Sequence, residues 1–168
     1  MKTTFKFLFT LLVMFSSLTL VSCKDDDDDD NSTPSIVGAW AADPFQFEEN
    51  NPLLVAPHVW YKKDGSLIVV DVFTDPKDKE KVNYEYSDTG KWSVSGEYIT
   101  QTTNYQWDDP NEFDTDVARF SINGSVMTVT FEDVEGINTI QLKRIKEEKM
   151  QEVYNAAKDY YHRLNPKK

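Results

Sequence analysis

The densest set of groups able to do chemistry is "WDDPNEFDTD", Trp107 to Asp116, where Asp108, Asp109, Glu112, Asp114 and Asp116 offer hard carboxylate oxygens of the kind calcium takes. The stretch lacks the glycine and the ligand register of an EF-hand loop. It therefore reads as a solvated acidic loop, and no metal site is assigned. Catalysis by another route would need a nucleophile with a base, a matched carboxylate pair or a metal cluster. The 2 histidines, His58 and His162, fall in a strand-like and a helix-like segment and read as ordinary surface or interface residues. No Gly-x-Ser-x-Gly occurs. The expectation is a protein that is not an enzyme and needs no cofactor.

The 1 cysteine, Cys23, stands at a seam. Before it, residues 1–22 carry Lys2 and Lys6 and then the apolar run Phe7, Leu8, Phe9, Leu11, Leu12, Val13, Met14 and Phe15. That run is too short to span a bilayer comfortably at about 20 residues per crossing, and with its basic start it reads as an export signal peptide. At its end, Leu20-Val21-Ser22-Cys23 resembles a bacterial lipobox. The resemblance implies that the Cys23 thiol receives a diacylglycerol, that the leader is removed before it, and that the new amine is acylated, for instance with palmitate. Each buried methylene is worth about 0.8 kcal/mol, and more than one chain is needed for a durable hold on a membrane. With no second cysteine, the exported domain forms no intramolecular disulfide, so its stability must come from packing.

After the anchor come Lys24, the aspartates Asp25 to Asp30, and Asn31-Ser32-Thr33-Pro34. Such a run cannot bury apolar area, and its charges repel one another within a Debye length of roughly 8–10 Å. Residues 23–35 are thus expected to be a lipidated Cys and a disordered acidic tether. Cys-Lys followed by acids is similar to the surface-export signal of lipoproteins in the Bacteroidetes. That resemblance implies a lipid-anchored outer-membrane protein whose domain is exposed at the cell surface, with the periplasmic face as the alternative.

Residues 36–168 are the natural size of one domain. The chain's formal net charge of −11 opposes attraction to phosphate backbones, and no basic stripe interleaved with aromatics appears, so nucleic acid is set aside as a partner. Aromatic residues at 13% supply either a large-residue core or a lined cavity.

The elements that must position any site follow from the hydrophobic period. From Ile36 onward the period is two, and turn signals recur, with Asp64-Gly65, Ser95-Gly96 and Asn123-Gly124 each joining two apolar alternating runs. About eight strands are expected: residues 37–41, 57–62, 66–73, 82–94 with a break around Ser87–Gly90, 97–105, 115–122, 125–132 and 137–145. The connections 43–56, 74–81 and 106–114 are rich in Pro, Asn and Asp and are expected to be loops. From Lys146 the period changes, and Met150, Val153, Ala157, Tyr161 and Leu164 mark an amphipathic helix of four to five turns ended by Asn165-Pro166. The fold class expected is all-β, an antiparallel up-and-down barrel closed on itself with the C-terminal helix packed on its outside.

A closed barrel joins its first and last strands, so Arg144 of "IQLKRI" is placed to lie over the Trp40 ring of "IVGAW" in a cation–π contact. Gly38-Ala39-Trp40 with this basic residue from the chain's end resembles the lipocalin-like (calycin) barrels, and the body, "YSDTGKWSVSG" included, is similar to small lipocalin-like lipoproteins of the Bacteroidetes. Gly38, Trp40 and Arg144 then form the structural barrel end. The resemblance implies a small apolar or amphipathic ligand inside the barrel. Candidates to line its interior are Trp60, Trp92, Tyr105, Phe120, Met127 and Phe131, with Ile68, Val70, Val94, Ile122 and Val129 beside them. Side chains this large can also fill an eight-stranded barrel. In that case the domain is an interaction module docking a protein or glycan through acidic loops or aromatics such as Tyr61, Tyr84 or Trp107.

Overall fold

A computed structural model describes residues 35–46, 52–105, 112–133 and 136–166. The strands are β1 (Gly38–Ala42), β2 (Phe45–Gln46), β3 (Leu54–Tyr61), β4 (Ser66–Asp75), β5 (Asp78–Ser95), β6 (Tyr98–Thr103), β7 (Asp114–Asn123), β8 (Val126–Asp133) and β9 (Gly136–Ile145). They form one antiparallel sheet in which β1 pairs with both β9 and β3, so eight of the described strands close into an up-and-down barrel. The short β2 extends β1: both lie along β3, with Gly38 opposite Tyr61 and Phe45 opposite Val55, a register offset of one residue between them. Closure leaves no free sheet edge along the barrel wall, which is how an all-β chain avoids pairing with its neighbours.

The sequence expectations for strand number, hairpin turns and barrel closure correspond to this fold, and the differences have local causes. The expected loop at residues 74–81 is a tight turn at Pro76–Lys77, so β4 and β5 run on to Asp75 and from Asp78. The expected break near Ser87–Gly90 is a register shift between Leu67 and Val69 on β4 inside one continuous 18-residue β5. A bulge of this kind adds a residue and bends the strand without ending it. Gly90 sits in that bend, where an added Cβ would lie 3.0 Å from the carbonyl oxygens of both Leu67 and Thr102.

Alternation along each strand separates two apolar clusters. The inner one gathers Trp40, Ala42, Val59, Tyr61, Leu67, Val69, Ile99, Ala118, Met127, Val129 and Leu142. The outer one gathers Ala39, Ile68, Val70 and Tyr86 on the strands with Met150 and Ala157 of α1 (Glu147–Leu164). The helix therefore lies against the outer face of the wall, where Tyr86 meets Tyr154 and Tyr161 edge-on at 5.8 and 6.1 Å between ring centroids. Tyr154 Oη donates to Asp88 Oδ2 at 2.6 Å and Tyr160 Oη to Asn83 Oδ1 at 2.9 Å, which fix the helix along β5. Acidic Glu147 and Glu148 in its first turn and His162 and Arg163 in its last suit the helix dipole. Leu164, expected in the packed stripe, is exposed at the helix end.

This second cluster corrects part of the expected barrel lining. Trp60, with Ile68 and Val70, faces outward beneath the helix and not into the barrel. Trp60 stands in register between Ala39 and Ile68, all on the outer face, and Lys62 Nζ lies 4.7 Å from its ring centroid. Tyr61, expected as an exposed docking aromatic, is fully buried on the inner face, and Tyr84 is half-buried against Tyr160. Val94 is 43% exposed at the barrel rim.

Candidate functional site

The barrel interior has two halves of different chemistry. One end is formed by the start of β1, the β3–β4, β5–β6 and β7–β8 hairpins and the end of β9. Here the inner face is sealed. Trp40 is fully buried, its Nε1 donates to Ile36 O at 2.8 Å, and the Arg144 guanidinium carbon lies 4.3 Å from its ring centroid. Arg144 also donates through Nη1 to Val37 O at 3.0 Å and through Nη2 to Ser35 O, so the side chain ties the chain entering the barrel to the strand leaving it. Gly38 makes room for it: φ is +131°, and a Cβ there would stand 2.5 Å from Arg144 Nη1.

Beside this clamp, Tyr61 and Trp92 meet edge-on at 5.4 Å, Trp92 Nε1 donates to Lys62 O at 3.1 Å, and Gln101 Nε2 donates to Tyr61 Oη at 3.0 Å. Burial raises the Tyr61 pKa and keeps the phenol neutral. Met127, Leu67 and Ile99 are 0% exposed, and Phe120 packs against them. Of the residues expected inside, Trp92, Phe120 and Met127 lie in this sealed half, where they act as core.

The other end is bounded by the ends of β2, β6 and β8 and the starts of β3, β7 and β9. Here the inward positions change character. Phe45, Tyr105, Phe131 and Ile140 are half-buried and pack against the inner cluster. Opposite them, two residues on from Val69, Asp71 lies in register between Pro57 and Glu85. Tyr105, just past the end of β6, donates its hydroxyl to Asp71 Oδ2 at 2.8 Å. Burial raises the Asp71 pKa, partly opposed by that hydrogen bond. Burial also raises the Tyr105 pKa, reinforced by the charges of Asp71, Glu85 and Asp116. Asp116, opposite Gln101 on β7, is more exposed, and partial desolvation with the charge of neighbouring Asp114 raises its pKa. Ser87 Oγ accepts the Asn104 amide at 3.1 Å, and Asn104 Nδ2 donates to Glu112 O, which joins the end of β6 to β5 and to the start of β7.

The mouth half thus sets an aromatic wall carrying Phe45 and Phe131 against a polar wall carrying Asp71 and Tyr105. Such an arrangement can hold a molecule with an apolar body and a polar end. Tyr105 and Phe131 were expected inside the barrel from the sequence; Asp71 and Glu85 were not, and Asp116 was expected only as part of the acidic loop. The available signal was Asp71 itself, the one charge inside the apolar run Leu67 to Phe73.

His58 is half-buried beneath the start of the helix, with its Nδ1 2.9 Å from Ala56 O; burial lowers its pKa, and Lys149 lowers it further. His162 is exposed and lines an open groove of about 650 Å³ on the outer wall with Tyr84, Ala156, Asp159 and Arg163. Among the described residues no group of three or more His, Cys, Asp or Glu converges to hold a metal ion, and no helix is long and apolar enough to cross a membrane. Cys23, the tether and residues 106–111 of the acidic loop, Trp107 included, lie outside the described residues. No protein-family model matches the chain and no curated protein matches it either, so the geometry of the barrel carries the functional reading.

Proposed function

We propose that this protein is a lipocalin-like lipoprotein, held to the outer membrane through Cys23 and facing the cell surface, that binds a small apolar or amphipathic molecule in the mouth half of its barrel. The observation that carries this reading is the contrast along the barrel axis. The sealed half buries its large side chains, while Phe45, Tyr105 and Phe131 point inward and still meet solvent. A fold that needed only a core would bury such rings as it buries Trp40 and Tyr61, since interiors pack to crystal density.

Native mass spectrometry of the full chain purified from an exporting host tests the reading. A reproducible small added mass, absent from a variant in which Phe131→Asp puts a charge on the aromatic wall, is the expected result. A bare polypeptide, also after incubation with an extract of its growth environment, would count against it. The anchor is tested by Cys23→Ser, which should abolish acylation and leave the protein out of the detergent phase. For the surface location, protease added to intact cells should remove the domain.

A second reading has one observation in its favour. The groove beside the helix, lined by Tyr84, His162 and Arg163, is an outer surface suited to a protein or glycan partner. It becomes the better reading if no small molecule is found.

A further inference from the structure

The geometry points to a subsite in the barrel mouth for the ammonium or guanidinium end of an amphipathic ligand, centred on the carboxylate oxygen of Asp71 that Tyr105 leaves open. The inference rests on the reading of the mouth half as a ligand site, and it names the ligand class.

Asp71 interrupts an apolar strand on the face that elsewhere carries Leu67 and Val69. Its Oδ2 accepts the Tyr105 hydroxyl, while its Oδ1 has no hydrogen-bond partner among the described residues. Among the described residues no fully buried side-chain oxygen lacks a partner, so Oδ1 keeps some contact with solvent although the carboxyl as a whole is largely buried. Nor does any described lysine or arginine pair with Asp71 or Asp116; the ion pairs lie elsewhere, at Arg119–Glu97, Lys143–Asp43 and Lys149–Glu152. A carboxylate largely removed from water without a counter-charge is costly to keep ionised, and an incoming cation offsets that cost where a neutral or anionic group cannot. Glu85 and Asp116, close enough to Tyr105 to act on its hydroxyl, extend the negative potential around the same point.

Two features narrow the cation. Among the described residues no three carboxylates or imidazoles converge as a metal site would, and the one open Asp71 oxygen suits an organic cation that donates hydrogen bonds. Across the mouth, Phe45, Phe131 and Ile140 offer an apolar surface to whatever carries that charge. Tyr105 is a positioning residue here: its hydrogen bond to Oδ2 fixes the Asp71 carboxyl and leaves Oδ1 for the incoming cation.

Calorimetric titration of the full-length chain near neutral pH with octylammonium, octanol and octanoate separates the possibilities. Octylammonium should bind at least ten-fold tighter than octanol, and octanoate weakest of the three. Asp71→Asn should bring octylammonium to the octanol level and leave octanol unchanged, which also shows that the variant is folded. Tyr105→Phe should weaken octylammonium several-fold, again without effect on octanol. Equal binding of octylammonium and octanol by the unmodified chain would overturn the cation subsite and leave the ligand site standing. Binding of none of the three would overturn both. The apolar leader contributes equally to the chain and its variants, so it cancels from each comparison between them.

Discussion

The two ends of the barrel are built on the same strands by the same alternation, yet they solve opposite problems. At the sealed end, Trp40, Tyr61, Trp92 and Arg144 satisfy one another, with every ring stacked or edge-on and each indole N–H on a backbone carbonyl. At the mouth, a carboxylate stands in an otherwise apolar strand and its charge is opposed by burial. The difference teaches where selection for stability stops. A residue whose environment disfavours its own charge is a poor stabiliser, and such residues gather at functional sites.

The largest effect that would break this comparison is expected at the sealed end. Trp40→Ala removes a fully buried indole and the platform for Arg144, and should destabilise the domain by about 3–5 kcal/mol. Denaturant midpoints measure it directly. An unchanged midpoint would mean that the sealed end is not what holds the barrel. Next, Met150→Ala on the helix should cost about 2–4 kcal/mol, because Met150 is completely buried against the outer wall. That result would show that the helix is part of the folded unit and not a detachable arm.

Smaller losses follow at the clamp. Arg144→Ala removes a cation–π contact and two hydrogen bonds to the entering chain, worth together about 1–3 kcal/mol at a partly exposed site. Gly38→Ala should cost a similar amount, about 1–3 kcal/mol, through backbone strain and the clash with Arg144. In Gly38→Ala combined with Arg144→Ala the clash is gone, so the double variant should be less destabilised than the sum of the two singles. Strict additivity would show that Gly38 matters only for its backbone.

How much of this was legible in the sequence depended on whether one face or two were buried. Strands β7 and β8 read cleanly, since Phe120 and Ile122, then Met127, Val129 and Phe131, alternate with polar residues that face water. Period two assigns their inner face without ambiguity. In "SLIVVDVF" every position from Leu67 to Val70 is apolar, because the helix covers the outer face while the core takes the inner one. Composition then carries no parity, and Trp60, Ile68 and Val70 were assigned to the wrong side. The helix itself was plain from its period. That it would lie over β4 and β5, and so make their outer positions apolar, was not, because it depends on contacts distant in sequence. The clamp of Gly38, Trp40 and Arg144 was legible because barrel closure forces the first and last strands together. The acidic mouth was not, since Asp71 and Tyr105 are joined only by the sheet's register.

At the mouth, the change that most sharpens the comparison runs in the other direction. Burial holds the Asp71 carboxyl above its ordinary range of about 3.9. Between that ordinary value and the raised one, the folded chain retains a proton that the unfolded chain has released. Stability due to this group therefore falls as pH rises through the window, and the full loss is present above the raised pKa. Asparagine has the shape of the protonated acid, can still accept from Tyr105 and does not titrate. Asp71→Asn should thus be more stable than the unmodified chain at neutral pH, and the gap should close as pH falls to the ordinary carboxylate pKa. Urea denaturation at a series of pH values reads both the sign and the convergence. If Asp71→Asn is instead less stable at neutral pH, the carboxylate is a structural anchor for the end of β6, and the two ends of the barrel do not differ in kind. If it is more stable and has lost octylammonium, the mouth has given up stability to keep a charge that its ligand requires.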